Sequence, residues 1–323
     1  MLRYILGRLA LAVPTLLAIC ALVFFSSYLA PGDPAEVILG EKATPESKAR
    51  LREQMGLNRP PLVRFGSYVG NLVFHGDLGN SYQPGNEPVR QIIARGFPNT
   101  ALLATLSLIT SLVIGIPLGI LAAVWANKLP DRLAMALALV GVALPSFVLG
   151  PALVLLLSVR MGWLPVIGFS LTTGLTQPQF FVLPVLVLAA RSAALIARLT
   201  RSAMLDVLSQ DYVRTARAKG LSTATVLFKH ALKNALPPIL TVTGTTFGYL
   251  LSGSFVVETF FTIPGIGNES IASIMRRDYP VVQGLALLMA AGFVLINLVV
   301  DILYGVIDPR ARVGGALVRR ANV

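Results

Sequence analysis

Two histidines, one cysteine and one carboxylate within an apolar run are the side chains here best suited to chemistry. His75 and His230 fall outside the long apolar runs, and no H-E-x-x-H zinc motif occurs. A Ser-His-Asp arrangement would have to recruit one of these two loop residues. Cys20 is the single cysteine and lies inside an apolar run. Neither an intrachain disulfide nor a cysteine-based metal site can form, and Cys20 reads as a small buried hydrophobe. Asp301, with Asn297 one turn away, is the main carboxylate at membrane depth. A proton relay needs several such stations and this sequence offers one, so Asp301 reads as a residue that caps, pairs or faces the interface. An intramembrane enzyme would need a second carboxylate beside it, and the apolar runs hold none. No Gly-Lys dipeptide occurs, hence no G-x-x-x-x-G-K-[ST] phosphate loop. If ATP drives this protein, another chain binds it.

The elements around these residues are membrane spans. The 323 residues are 55% hydrophobic and 13% charged, against about 25% charged for a soluble domain. The net charge of +12 does not point to nucleic acid, because the cations lie between apolar runs with no aromatic-interleaved basic face. They set topology and meet anionic lipid headgroups or a protein partner. Six stretches reach the roughly 20 residues that a spanning helix needs: 9–29, 101–126, 133–159, 180–197, 239–257 and 281–307. Arg191 interrupts the fourth near its inner end, and Glu258 ends the fifth on the outside. Residues 1–30 imitate a signal peptide. Their apolar stretch is too long for one, and Tyr28 occupies the −3 position before Ala30, so a retained anchor is expected. Six crossings put both termini on one side. The short outer loops carry only Arg160, Arg276 and Arg277, so that side is cytoplasmic by the positive-inside rule.

Residues 31–100 form a structured outer loop. Thr44, Pro45, Glu46 and Gly56 predict a capped helix. Leu62, Phe65, Tyr68, Val69 and Leu72 recur at helical spacing, and Pro88 opens a short amphipathic helix at the membrane surface with Val89, Ile92 and Ile93 on one face. Pro145 and Pro151 predict a kinked third span. The fifth run is rich in Thr, Ser and Gly, which suits close packing or a wet path.

The strongest basic segment is 211–238, DYVRTARAKGLSTATVLFKHALKNALPP. Two helical patterns flank Gly220-Leu221-Ser222, with Ala216 and Ala218 small and Val226, Leu227 and Leu232 apolar. It reads either as a solvated loop that fixes topology or as a surface gripped by a soluble partner. A helical conduit without its own energy source makes this loop the natural place for energy to enter.

This loop resembles the EAA loop of ABC importer permeases, E-A-A-x3-G-x9-I-x-L-P. Gly220, Ala216 and Leu232 match; Arg214, Thr215, His230 and Lys233 depart from it. The departures are similar to the dipeptide/oligopeptide/nickel branch, in which YVRTARAKGL (212–221) precedes K-H-A-x-x-N-A (229–235). HGDLGNSY at 75–82, PVRQIIARGFPNT at 88–100, ETFFTIPGIGNES at 258–270 and LYGVIDPRAR at 303–312 resemble the B-type subunit of that branch over essentially the whole chain.

The resemblance implies an all-α membrane protein with six transmembrane helices, the type I ABC importer permease fold and a structured periplasmic loop after the first helix. Its parts would be an anchor (1–30), the outer loop (31–100), a five-helix core (101–310) with the coupling loop at 198–237, and a cytoplasmic tail (311–323). It implies a non-catalytic permease subunit in the bacterial inner membrane, importing di- or oligopeptides, with nickel, glutathione or another small solute as the alternative. Partners would be a second, C-type permease subunit, two ATP-binding subunits or a fused pair holding ATP and Mg, and an extracytoplasmic substrate-binding protein. Arg214, Thr215, Ala216, Arg217, Lys219, Gly220, Leu221, Lys229 and His230 would couple to the ATPase. Gly220 permits the turn, Ala216 and Ala218 let the other chain approach, and the cations meet its acids. Phe261, Pro264, Gly265 and Gly267 would form an outer gate or docking turn, and Asp308 and Arg310 would cap the last helix, contact the ATPase or staple the tail to the inner loop.

Overall fold

The computed structural model describes residues 2–29, 33–40, 43–169 and 177–307, and these are helical apart from short connections. The tail, with Asp308 and Arg310, lies outside the described residues. α1 (Leu2–Leu29) is one apolar helix. The segment after it folds as three short helices: α2 (Pro34–Leu39), α3 (Pro45–Gln54) and α4 (Pro61–His75). α3 follows from its caps. The Thr44 hydroxyl accepts from the Ser47 N–H at 3.3 Å, Pro45 takes the first turn, and Gly56 leaves at φ 64°. Arg52 and Lys48 of α3 reach back to Asp33 and Glu36 at the start of α2. α4 lies against α1 through Phe65, which meets Phe24 and Phe25 at 5.4 and 5.6 Å between centroids. Leu62 does not share that face and is exposed.

The loop after α4 is latched to a distant turn. Asp77 folds it by accepting from the Gly79 N–H at 2.9 Å. Asp278, 2% exposed, accepts from the Ser81 hydroxyl and from the Tyr82 N–H at 3.0 Å. Removing one partner of a buried hydrogen bond costs about 1–3 kcal/mol. Asp278→Ala is therefore expected to raise protease cleavage around residues 83–86 severalfold. Wild-type cleavage rates would show that the latch carries no stability.

α5 (Val89–Val124) is one continuous helix. The short helix expected at a membrane surface from Pro88 is its first turns, and they pack on protein: Val89 and Ile92 are buried against Ile266, Val281 and Leu285. α5 lies along α8 (Gln179–Leu208), the central pair of the bundle. Ser111 donates to the Ala189 carbonyl at 3.1 Å, and further along Gly119 abuts Ala197 and Thr200, so the two helices run in the same direction. α8 extends eleven residues beyond the predicted end at 197, which moves Arg191 from the end of a span to its middle.

The predicted kink is a fold-back. α6 (Leu129–Ala143) and α7 (Ser146–Leu153, continued by a π-helical turn to Arg160) meet at 108° around Leu144-Pro145. Proline removes the ladder bond that would have carried the helix through. The fifth predicted span corresponds to α10 (Lys233–Gly253), entered by a π-helical stretch Thr225–Leu232 and followed by the short α11 (Phe255–Phe260). The path to it is made by α9 (Asp211–Ala218). α12 (Ile266–Met275) and α13 (Tyr279–Ile307) complete the described chain. By length and apolarity four described helices can cross a membrane, α1, α5, α8 and α13, and the bent α6–α7 pair makes a fifth if it is one span; α10 is not in that set.

Candidate functional site

Two clusters mark opposite ends of the α5–α8 pair. Thr100 stands at one and Ala123 at the other, 23 residues or about 35 Å apart along α5.

At the Ala123 end the basic loop rests on a small apolar buttress. Val213, Ala216 and Val226 are buried together, packed by Val207 and Leu208 of α8. Ala231, Ala235 and Ile239 continue that contact onto Ile120, Ala203 and Met204. Gly220 turns the chain at φ 78° with open space where a Cβ would stand. The Ser222 hydroxyl accepts from the Thr225 N–H at 3.3 Å and starts the second helical piece. Asn234 donates to the Tyr212 hydroxyl at 2.9 Å and to the His230 carbonyl, closing the two pieces on each other. Arg214, Thr215, Arg217, Lys219, Gly220 and Lys229 all face outward, with Leu221 (40% exposed) and Phe228 (60%) among them. His230 is half-buried. Ala216 is not a contact surface for another chain as expected, because its methyl group is spent inside the buttress; Ala218 is exposed. Arg214 pairs with Asp211 at 3.0 Å, both exposed. Thus most of the sequence-predicted loop residues are exposed, Ala216 and His230 excepted, and two exposed apolar side chains that the cation pattern did not reveal lie in the same loop.

Beside this loop Asp131, 3% exposed, is held by three donors. Arg201 of α8 binds it through two nitrogens at 2.6 and 2.7 Å, and the Asn127 N–H donates at 2.8 Å. The α5–α6 turn is thereby fastened to the helix that leads into the basic loop.

At the Thr100 end the structure brings together residues that the sequence assigns separately to the outer loops and to the outer end of the fifth span. Glu258 is fully buried. Its carboxylate accepts from the Ser254 hydroxyl (2.5 Å), the Thr100 hydroxyl (2.8 Å), the Gly267 N–H (2.8 Å) and the Asn268 N–H (3.0 Å). The last two are free donors of the first turn of α12, where the helix dipole favours negative charge. Thr100 also accepts from the Ile266 N–H, and Asn99 donates to the Pro264 carbonyl, both at 3.0 Å. Gly265 and Gly267 lie so close to Glu258 that a Cβ on either would collide with its Oε2. Of the residues expected to form a gate or docking turn, Gly265 and Gly267 are buried inside this knot, Phe261 is buried in the apolar core with Leu103, Leu183 and Val257, and Pro264 alone is exposed. Close packing on Glu258 explains the two glycines. The sequence signal was an acid six residues ahead of Pro-Gly-Ile-Gly at 264–267.

The other chemical candidates stand apart. His75 is exposed at the end of α4, far in sequence from His230, and Cys20 is buried in α1. Asn297 donates to the Phe293 carbonyl of its own helix, and the Asp301 side chain lies outside the described residues.

Residues 115–313 match the family described as binding-protein-dependent transport system inner membrane component, and residues 1–104 match the N-terminal domain of the same systems. The glutathione transport system permease protein GsiC of Salmonella typhimurium (strain LT2) is 46% identical over 312 residues, 97% of this chain and 99% of that one. GsiC of Escherichia coli (strain K12) is 44% identical over the same shares. An inward-facing structure of the MetNI methionine ABC transporter has a similar fold, with TM-score 0.56 at 20% identity over 68% of this chain and 97% of that one.

Proposed function

We propose that this chain, which belongs to the family of binding-protein-dependent transport system inner membrane components, imports small peptides of the glutathione kind. As a member it is a non-catalytic, multi-pass permease subunit of an ABC importer, with the importer permease fold, and ATP hydrolysis belongs to a separate subunit. Of the cargo expectations, the relatives favour glutathione, the alternative, over di- and oligopeptides in general. That reading is supported by relatives that carry that name at up to 46% identity along nearly the whole chain.

In this reading six crossings put both termini in the cytoplasm, and residues 31–100 face the binding protein outside. A second permease subunit completes the path, and ATP and Mg sit on the ATPase partners. Energy enters at the basic loop. The observation that carries this is the loop's build: exposed cations together with exposed Leu221 and Phe228, on a buttress rooted in α8 and α10. Apolar anchors ringed by charge suit a cleft in a partner. A push there is passed to the α5–α8 pair through Ala231, Ala235 and Met204.

ATP-dependent uptake of labelled glutathione by the assembled importer tests the cargo; uptake of dipeptides alone would overturn it. Gly220→Val tests the coupling. The left-handed backbone costs a β-branched residue about 1–2 kcal/mol, while the open space keeps the damage local. Uptake is expected to fall about tenfold while the complex assembles and hydrolyses ATP. Normal uptake would remove the loop from the coupling path. Arg214→Glu asks whether charge contributes: unchanged coupling would leave the contact to helix shape and the apolar pair.

A further inference from the structure

The spans present two kinds of outward surface. α1 and α6 expose leucines and valines, as lipid requires. α8, the most buried of the spans, exposes Arg191, Leu195, Arg198 and Ser202, spaced four, three and four residues apart and so aligned on one stripe. Neighbouring α10 exposes Thr241 and Thr245 one turn apart. Arg191 is at mid-depth. Ala189 and Ala193, on either side of it, lie against Ser111 and Gly115 of α5, about midway between Thr100 and Ala123. Arg198 follows seven residues on, about 10 Å along the axis. Arg201, the next arginine, is taken by Asp131. Arg191 and Arg198 make no ion pair among the described residues. A guanidinium at this depth faces a partner or water, not lipid.

We infer that the exposed stripe of α8 lines the translocation path and that Arg191 and Arg198 bind the carboxylate groups of an anionic peptide as it passes. The guanidinium fork matches a carboxylate with two parallel hydrogen bonds. A groove open to water keeps each contact weak enough to release. Two cations about 10 Å apart allow a second hold to form before the first is lost. The hydroxyls of Thr241 and Thr245 add a polar wall that asks for no particular charge. The inference rests on the small-peptide reading of the cargo and deepens it: two carboxylates and one ammonium give glutathione the net negative charge that such a path favours.

The test is ATP-dependent uptake of labelled glutathione by the full importer, with assembly followed by copurification of the second permease and the ATPase. Arg191→Gln is expected to lower uptake about tenfold with ATPase activity retained, and Arg191→Lys to keep it within about threefold. In a Cys20→Ser background, Arg191→Cys is expected to react with water-soluble methanethiosulfonates. The cationic aminoethyl reagent should restore uptake, and the anionic sulfonatoethyl reagent should not. Equal uptake by wild type and Arg191→Gln, or no reaction at Arg191→Cys, overturns the inference and leaves the cargo reading intact. Absence of glutathione uptake by the wild type overturns both. Loss of the copurifying second permease in Arg191→Gln, recovered in Arg191→Lys, assigns Arg191 to the subunit interface and overturns it as well.

Discussion

Glu258→Ala is expected to melt the detergent-solubilised protein at least about 5 °C below wild type, a loss of about 3–5 kcal/mol. The size follows from what the carboxylate holds. It collects four donors from three parts of the chain: Ser254 ahead of it, Thr100 on α5, and the first turn of α12. Among the described residues no lysine or arginine pairs with this carboxylate, so hydrogen bonds and the helix terminus stabilise it. The alanine variant leaves two N–H groups and two hydroxyls facing a void, and each unmet buried donor costs about 1–3 kcal/mol. Glu258→Gln separates charge from shape. It keeps one acceptor oxygen and turns an NH2 towards donors, so its melting point should fall between the other two. Thr100→Val, which loses one donor and the acceptor for the Ile266 N–H, should cost about 1–3 kcal/mol. Glu258→Ala melting within a degree of wild type would mean that water replaces the carboxylate at no cost.

That knot shows where the sequence stopped being readable. α3 was legible because everything that makes it, from Thr44 to Gly56, is local. Gly220 was legible for the same reason: a turn between two helical patterns is a property of a few adjacent residues. Most of the spans were legible from apolar length. The partners of the buried acids were not. Thr100 and Glu258 are 158 residues apart, Ser81 and Asp278 are 197 apart, and Asp131 and Arg201 are 70 apart. Each residue alone reads as a loop or span-end polar group, and only packing reveals that it is buried and paired. The bend at Pro145 was half legible. Proline announces a break, but its angle is set by where α7 lands, with Gly150 so placed that a Cβ on it would stand 3.5 Å from the Phe260 ring. The basic loop was legible as a charged surface. Its apolar pair was not, because Leu221 and Phe228 look like core residues until their exposure is known.

A large packing effect is expected at Gly119→Ala, a single added methyl in the α5–α8 contact. The new Cβ would stand 2.5 Å from the Thr200 Cβ and 2.6 Å from the Ala197 carbonyl oxygen. Neither neighbour can yield: one is a backbone atom, the other is fixed to its own helix. Thr200→Ala keeps its Cβ and so cannot rescue the variant, which distinguishes this clash from ordinary overpacking. Relief requires the helices to part, and parting them strips the contact at Gly115, where a Cβ would meet the Ala193 carbonyl at 2.7 Å. Overpacking costs about 1–3 kcal/mol where side chains can adjust; here the upper end or beyond is expected, with loss of monodisperse protein on size exclusion. Gly292→Ala is the control. It lies in the apolar helix α13 with nothing within 4 Å of its would-be Cβ, and should be neutral or slightly stabilising. The contrast carries a functional consequence. Small residues let α5 and α8 approach until their backbones touch, so under the proposed coupling a push on the basic loop at the foot of α8 would move both helices together. A Gly119→Ala protein that folded normally would show that the pair tolerates separation, and the proposed coupling path would then have to run through α10 instead.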